Sequence, residues 1–276
     1  MLDIINSTLN AIFNIFFLPF EDGRPFWAML LVSVVTGILM LVIFKATSDQ
    51  SGIKRAKDLV KGHFLAIRLY RDDIGLMFDT MKNIVLSNLF YMRKSLRPML
   101  FLMIPVALVL IQLGSRYEFR PFRVGESIVV SLQLAETNEP ADLAQVELSL
   151  PAGLRTDMPP VRVESRGEIN WRLRAEAPGE YSLTFRYGDQ SVTKKLRVLD
   201  RLVSVAPSVA RDQLLVTLMN PAEPSLPETS FAKLISVTYP RRDFEFFGWQ
   251  IHWLVAFFVL SLVAAFAFKG FLGVEV

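Results

Sequence analysis

Residues 26–44, FWAMLLVSVVTGILMLVIF, contain no charged side chain over 19 consecutive positions. Residues 98–115 likewise contain none, and in residues 246–268 His252 is the one ionisable group. A hydrocarbon core about 30 Å thick requires about 20 apolar residues, because a helix rises about 1.5 Å per residue. Backbone polar groups in lipid must be paired within the segment, so each stretch must be helical. The sequence therefore predicts three transmembrane helices, at residues 26–45, 98–115 and 246–268.

The N-terminal residues lack the basic start of a cleavable signal sequence. Their apolar side chains recur at helical spacing, as Leu2, Ile5, Leu9, Ile12, Phe13, Phe16 and Phe17. Asn6, Asn10 and Asn14 fall between them. This pattern predicts an amphipathic helix over residues 1–22 that lies in the membrane interface. A plain hydrophobic lead-in to the first span is the alternative.

The loop between the first two spans is basic. Residues 46–98 hold ten Lys and Arg against five Asp, whereas residues 116–245 hold 17 Lys and Arg against 18 Asp and Glu. Short loops rich in Lys and Arg stay on the cytoplasmic side of a membrane. We therefore expect a cytoplasmic loop at 46–97, a cytoplasmic tail at 269–276, and an N-terminus and long second segment outside. The chain contains no cysteine, which excludes disulfides and thiol chemistry.

The basic loop has the periodicity of helices rather than strands. Its second half carries an apolar stripe at i, i+3 and i+4 spacing: Ile74, Met77, Phe78, Met81, Ile84, Val85, Leu89, Met92 and Leu96. Residues 46–97 are therefore predicted to form a helical hairpin whose second arm continues into the second span. A methionine-rich face follows that arm into the membrane, as Met77, Met81, Met92, Met99 and Met103. Thioether side chains adapt to irregular apolar partners, so this face could bind varied hydrophobic segments. Packing within the hairpin is the alternative.

Alternation of apolar and polar residues replaces the helical pattern after Tyr117. Short alternating stretches lie at residues 127–134, 146–150, 169–173, 181–185 and 192–198, with Pro, Gly and Asn between them. Turn signals about every 8–12 residues are typical of an antiparallel β-sandwich. The sequence APGEYSL at 177–183 is similar to the penultimate hairpin of an immunoglobulin-like domain. We predict an all-β immunoglobulin-like sandwich at 117–200. Residues 201–245 contain several prolines and are interpreted as a linker or extension.

The chain carries none of the sequence motifs of a catalytic or nucleotide-binding site. Its two histidines, His63 and His252, lie on opposite sides of the membrane in the predicted topology and cannot share a metal ion. The acidic residues of the outer segment are scattered among arginines, as on a solvated surface. We expect no enzymatic activity, no metal and no cofactor.

Three stretches of the sequence resemble the YidC-type insertase superfamily. They are TSDQSGIK at 47–54, MRKSLRPMLFLMIP at 92–105, and the segment from Trp249 through Ser261 to FKGFLGV at 268–274. The similarity is to archaeal YidC-like proteins and to the insertase subunit of the ER membrane complex. It covers residues 26–115 and 246–274.

The resemblance implies a prokaryotic inner-membrane protein in which three helices enclose a groove open to the cytoplasm and to lipid. Ser33, Thr36, Arg97 and Gln112 would line the groove and its mouth, and the methionine face would capture hydrophobic segments of nascent membrane proteins. The basic hairpin could bind the ribosome or lipid headgroups, whereas no DNA-binding pattern is present. A rival hypothesis is a non-catalytic scaffold or assembly subunit that binds an extracytoplasmic protein through its sandwich.

Overall fold

A computed structural model describes residues 2–20, 25–69, 74–135, 143–246 and 248–274. Several side chains on the two helices between residues 50 and 97 lie outside this description. The described helices are α1 (Leu2–Phe17), α2 (Pro25–Thr47), α3 (Gln50–Leu69), α4 (Ile74–Tyr117), α5 (Leu214–Met219) and α6 (Trp253–Leu272). The chain divides into two compact units. One contains Met1–Ala28 and Leu110–Trp253, and the other contains Met29–Val109 and Leu254–Val276.

Three helical segments are long and apolar enough to cross a membrane. They are Pro25–Thr47, Pro98–Tyr117 and Trp253–Leu272, with mean hydropathies of 2.6, 2.0 and 2.2. The prediction of three candidate spans is therefore confirmed. The third begins at Trp253 rather than at residue 246, because the described residues before it include two short antiparallel strands, Phe244–Phe246 and Trp249–Ile251.

These two strands are β9 (Phe244–Phe246) and β10 (Trp249–Ile251), numbered after the eight strands described below. In this pair of strands the polar residues Glu245 and Gln250 lie opposite each other, between apolar neighbours. Those apolar neighbours made the stretch resemble part of a span in the sequence. Gly248 has a φ of +83°, a conformation that glycine adopts without the steric cost of a Cβ.

In the second unit, α2 and α6 approach closely at Gly37. A Cβ built on Gly37 would lie 2.6 Å from the backbone oxygen of Ser261, so a larger residue would separate these helices. Small residues at such crossings let membrane helices pack through their backbones. At the other end of the pair, Lys45 Nζ donates a hydrogen bond of 2.6 Å to the carbonyl of Leu272, near the C-terminus of α6.

The junction between α2 and α3 is a tight break with its own cap. Asp49 Oδ1 accepts hydrogen bonds of 2.9 Å from the backbone N–H of Gly52 and from Ser51 Oγ. An aspartate in this position satisfies one of the donors that an α-helix leaves free at its first turn. Ile53, one residue further on, is buried. The polar sequence at 47–54 thus ends the first span and starts α3.

Apart from the β9–β10 pair, the described residues of the first unit form eight strands in two antiparallel sheets, which together are called the β-domain. The strands are β1 (Ser127–Leu134), β2 (Glu147–Ser149), β3 (Leu154–Val163), β4 (Glu168–Ala175), β5 (Gly179–Tyr187), β6 (Gln190–Val198), β7 (Ser208–Ala210) and β8 (Ala232–Val237). One sheet has the order β3-β4-β1-β8-β7 and the other β2-β5-β6. Inward-facing residues of both sheets share one hydrophobic core, in which the rings of Trp171 and Phe185 lie 5.4 Å apart.

Residues 201–245, interpreted from the sequence as a linker or extension, contribute two strands to this core. β8 pairs with β1 and β7 pairs with β8, while Ile235 and Val237 are buried. Lys194 on β6 also holds the segment: its ammonium, fully buried, donates hydrogen bonds to Glu223 Oε1 at 2.5 Å and to the carbonyl of Ala206 at 2.6 Å. Burial lowers the pKa of Lys194, and the Glu223 carboxylate opposes that shift.

The chain enters and leaves the β-domain side by side. The N–H of Arg120 donates a hydrogen bond of 2.9 Å to the carbonyl of Pro240, and the N–H of Arg242 donates one of 3.1 Å to the carbonyl of Glu118. Glu118 Oε2 also accepts a hydrogen bond of 2.6 Å from Trp253 Nε1 at the start of α6. The two connections to the membrane helices are thus joined to each other.

Candidate functional site

The methionine face lies on one uninterrupted helix. α4 runs for 44 residues and passes through Pro98 and Pro105 without a break. Proline removes one backbone hydrogen bond from a helix, and membrane helices tolerate this better than soluble ones. The amphipathic arm and the second span therefore belong to one continuous helix, as the sequence predicted for the passage through Pro98.

The five methionines of α4 share a narrow arc of its surface. At about 100° per residue they fall within about 80° of one another, over a length of roughly 40 Å. Met81, Met92, Met99 and Met103 are 51%, 65%, 58% and 67% exposed. The side chain of Met77 lies outside the described residues.

The arm is exposed well before the apolar span begins. Met81 and Met92 precede Pro98, the first residue of the span, and they are flanked by other exposed apolar side chains: Val85, Leu86, Leu89 and Leu96. These described positions are therefore not covered by packing within the hairpin. Each large apolar side chain left in water costs about 1.5–3 kcal/mol relative to burial, so the arm has the composition of a surface that acquires an apolar partner.

Ser33 and Thr36 share one buried face of α2. Ser33 is fully buried and Thr36 is 5% exposed, and Gly37 lies beside them at the contact with α6. Within the described part of the chain, Ser33 Oγ makes no hydrogen bond. A serine in a helix commonly donates to a carbonyl one turn earlier, so a buried hydroxyl without a partner is unusual in an apolar segment.

Gln112 belongs to the other unit and has a different environment. It is buried, and its Oε1 accepts a hydrogen bond of 3.0 Å from Arg116 Nη1. Gln112 Nε2 is also buried and, among the described residues, has no hydrogen-bond partner. Of the four predicted groove residues, Ser33 and Thr36 thus lie together, Gln112 binds Arg116, and the side chain of Arg97 is outside the described residues.

Arg116 is a functional candidate that the sequence reasoning did not select. It lies in the last turn of α4 and is 1% exposed. Its guanidinium donates to the Gln112 carbonyl at 3.0 Å and to Asn14 Oδ1 at 2.6 Å. The rings of Phe17 and Phe13 lie 5.0 and 5.8 Å from the guanidinium carbon, which is cation–π geometry.

The signal for this cluster lies in the N-terminal helix. Asn6, Asn10 and Asn14 recur every four residues, which places all three on one side of α1. Asn6 and Asn10 donate hydrogen bonds to the carbonyls of Thr217 and Pro221, and Asn14 accepts from Arg116. These three asparagines, at a spacing of four residues, mark the side of α1 that bonds to the rest of the first unit. The helix itself was predicted, but its docking through this asparagine ladder was not.

Comparison with known proteins adds nothing to this geometry. No family model matches the chain, and no curated protein is significantly similar to it in sequence. Functional inference therefore depends on the residues themselves: the exposed methionine face, the buried polar groups of α2, and the buried cluster around Arg116.

Proposed function

We propose that this membrane protein is an insertase or a membrane-protein biogenesis chaperone of the YidC type. In this mechanism the methionine face of α4 captures a hydrophobic segment of a nascent membrane protein. The segment then moves along the same helix into the bilayer, while its polar flank crosses beside the buried hydroxyls of α2. No step requires a cofactor.

The observation that carries the proposal is the exposure of Met81 and Met92 outside the apolar span. Methionines within a span can face lipid, whereas those on the preceding arm face water until a partner covers them. Because Met99 and Met103 continue the same arc into the span, a bound segment would keep one apolar contact surface throughout its passage. Flexible thioethers suit clients of differing sequence.

Ser33 supports the second half of the mechanism. An unpaired buried hydroxyl costs about 1–3 kcal/mol, and a site that repeatedly admits polar atoms or water would offset this cost. Thr36 offers a second hydroxyl one turn away on the same helix. Together they would lower the barrier for the polar flank of a client, which otherwise crosses hydrocarbon with unpaired backbone groups.

The proposed topology places the hairpin and C-terminus in the cytoplasm of a prokaryotic cell, and the N-terminus and β-domain outside the inner membrane. Ten basic residues in the loop at 46–98 support it. We further propose that the β-domain is immunoglobulin-like. Its two antiparallel sheets share one core, and the Tyr181 hydroxyl donates a hydrogen bond of 2.6 Å to the Ala177 carbonyl four residues earlier, as in a tyrosine corner.

Site-specific photo-crosslinking tests the proposal. A photoreactive residue is placed at Met81 or Met92 of the full chain, and ribosome-bound nascent chains with one hydrophobic segment are presented in native membranes. We expect adducts from both positions that disappear when the hydrophobic segment of the nascent chain is replaced by a polar one.

Leu86 provides the matched control. It is 53% exposed, and at about 100° per residue it lies about 140° around α4 from Met81, so it tests exposure without the methionine face. Equal adducts from Leu86 and Met81 would mean nonspecific collision. Adducts only between the β-domain and one fixed protein, with none from the arm, would overturn the insertase proposal in favour of a scaffold.

A further inference from the structure

In the N-terminal helix, Asn6 and Asn10 face the rest of the first unit, whereas Ser7, Thr8 and Asn14 are exposed. Asn6 is buried, as is Phe17, on the side that contacts the rest of the first unit. The opposite side exposes apolar residues along the C-terminal half of α1 and the turn that follows: Ile12, Ile15, Phe16 and Leu18, at 46%, 72%, 40% and 69%. A helix in water would have the reverse arrangement. We therefore infer an apolar environment outside the C-terminal half of α1.

A second short helix, from the β-domain itself, extends this apolar surface. Leu214, Leu215 and Met219 of α5 are 59%, 73% and 70% exposed. Asn6 Nδ2 donates a hydrogen bond of 3.3 Å to the Thr217 carbonyl within α5. Asn10 donates to the carbonyl of Pro221, directly after α5. The asparagine ladder thus holds α5 beside α1.

Contacts at the other end of α1 place it where two spans end. The rings of Phe17 and Tyr117 lie 6.0 Å apart, and the Tyr117 hydroxyl donates a hydrogen bond of 2.7 Å to the Pro25 carbonyl. Tyr117 is the last residue of the second span, and Pro25 is the first of α2. Trp27 and Trp249, in the same unit, are 57% and 77% exposed, as expected for tryptophans at a membrane–water boundary.

We propose that α1 and α5 form one lipid-contacting surface, which holds the β-domain against the leaflet from which it projects. The occupant is the acyl-chain and headgroup boundary of the bilayer. The exposed face is continuous with the membrane boundary at Pro25 and Tyr117. Residues 4–20 and 213–222 contain no charged side chain, and charged residues occur only where these segments end, at Asp3, Glu21, Arg211, Asp212 and Glu223. An uncharged apolar surface of this kind suits the acyl-chain boundary of a bilayer.

Spin labels on single cysteines test this surface in the full chain, which contains no native cysteine. L215C reports on α5, I15C on α1, and S191C, an exposed position of β6, is the solvent control. The labelled protein is reconstituted in phosphatidylcholine–phosphatidylglycerol vesicles without any client. We expect collision rates at positions 215 and 15 to favour oxygen over a water-soluble nickel chelate several-fold, and position 191 to show the reverse. Equal accessibility at 215 and 191 would overturn the proposal.

A second variant tests the ladder that positions α5. N10A removes the hydrogen bond to the Pro221 carbonyl, so the label at 215 should become more accessible to nickel while the label at 15 stays in lipid. If the label at position 215 lies at the same depth in the bilayer with and without N10A, Asn10 does not position α5. A label at 215 that is water-exposed in vesicles but shielded in native membranes would identify a protein partner and overturn the lipid assignment. Neither readout depends on insertase activity.

Discussion

The two ends of α4 have opposite relations between polarity and burial. Before Pro98, apolar side chains such as Met81 and Met92 are exposed, whereas at the far end the polar residues Gln112 and Arg116 are buried. The buried guanidinium of Arg116 has its hydrogen-bond partners within the protein, and these bonds fix the local structure. The exposed apolar side chains of the arm would be removed from water only by a partner outside this chain. The comparison predicts that the far end of α4 governs stability and the arm governs function.

Arg116→Met should produce the largest loss of stability. It removes the hydrogen bonds to Gln112 and Asn14, and each hydrogen bond to a charged group contributes about 1.5–3 kcal/mol. We expect the unfolding free energy to fall by about 3 kcal/mol, since part of each contribution is regained by repacking. Thermal unfolding in detergent measures the loss, and proteolysis within residues 1–20 measures release of α1.

Arg155→Met is the matched control, because Arg155 forms an exposed ion pair with Glu176 at 3.4 Å. Exposed pairs contribute between about 0 and 1 kcal/mol, so this variant should unfold like the parent protein. If both variants unfolded alike, burial at the far end of α4 would not be the source of its stability.

Glu126→Gln should cost about 1–2 kcal/mol at neutral pH, because Glu126 accepts two hydrogen bonds from the Arg120 guanidinium and one from the Arg123 N–H. The hydrogen bond from Arg120 is the main cause that holds the pKa of Glu126 below its ordinary value of 4.5. The stabilisation is therefore complete above the unfolded-state pKa and is lost as pH falls through the lower folded-state pKa.

The measurement is the difference in unfolding free energy between the parent protein and E126Q as pH is lowered from 7. This difference should shrink below about pH 4.5, since only the parent protein loses a carboxylate there. A difference that is constant with pH would mean that the charge of Glu126 does not stabilise the fold. The size of this difference can then be compared with the loss in R116M, which shows how much more a fully buried charge contributes than the partly exposed Arg120–Glu126 pair.

Ser33→Ala should change stability in the opposite direction. Removal of a buried hydroxyl without a partner should leave the protein equally stable or stabilise it by about 1 kcal/mol. Ser261→Ala is the control, because Ser261 Oγ donates a hydrogen bond of 3.1 Å to the Phe258 carbonyl and its loss should cost a few tenths of a kcal/mol. Insertion of a client with a charged flank should decrease several-fold in S33A. Unchanged insertion would remove Ser33 from the groove.

The double substitution Met81→Ser and Met92→Ser should have the smallest effect on stability, within about 0.5 kcal/mol, because both side chains are exposed. Client crosslinking from the rest of the arm should nevertheless fall several-fold. The Met81→Leu and Met92→Leu pair keeps the apolar surface and should retain most adducts. A Met-to-Ser protein that unfolds as readily as R116M would show that the two ends of α4 do not differ as proposed.

The sequence predicted those elements that local patterns determine. Three spans, the helical arm and strand β1 follow from runs and periods within a few residues. β3 was missed because Pro159 and Pro160 interrupt its pattern, and prolines are tolerated there since β3 is an edge strand with register shifts. The pairing of β8 was not predicted, because its partner β1 lies about a hundred residues earlier, which no local pattern encodes.

The candidate site divides in the same way. The methionine face was predicted because one helix carries all of its members. Arg116 was treated as a residue following the span, since charge alone assigns it to water. Its burial comes from Phe13, Asn14 and Phe17, about a hundred residues earlier in the chain. Reading the three asparagines of α1 as a ladder would have shown that α1 docks on protein, but not on which residue.

The chain enters and leaves the β-domain at adjacent positions, so the domain is an insertion whose two ends lie side by side. With Arg120 bonded to Pro240 and Arg242 bonded to Glu118, the whole domain replaces what could be a short turn between α4 and α6. The entropic cost of closing a flexible loop rises with its length, but here the folded domain already holds the two ends together. The domain therefore lengthens the connection between α4 and α6 without separating its two ends, and α1 is the further helix that depends on its presence.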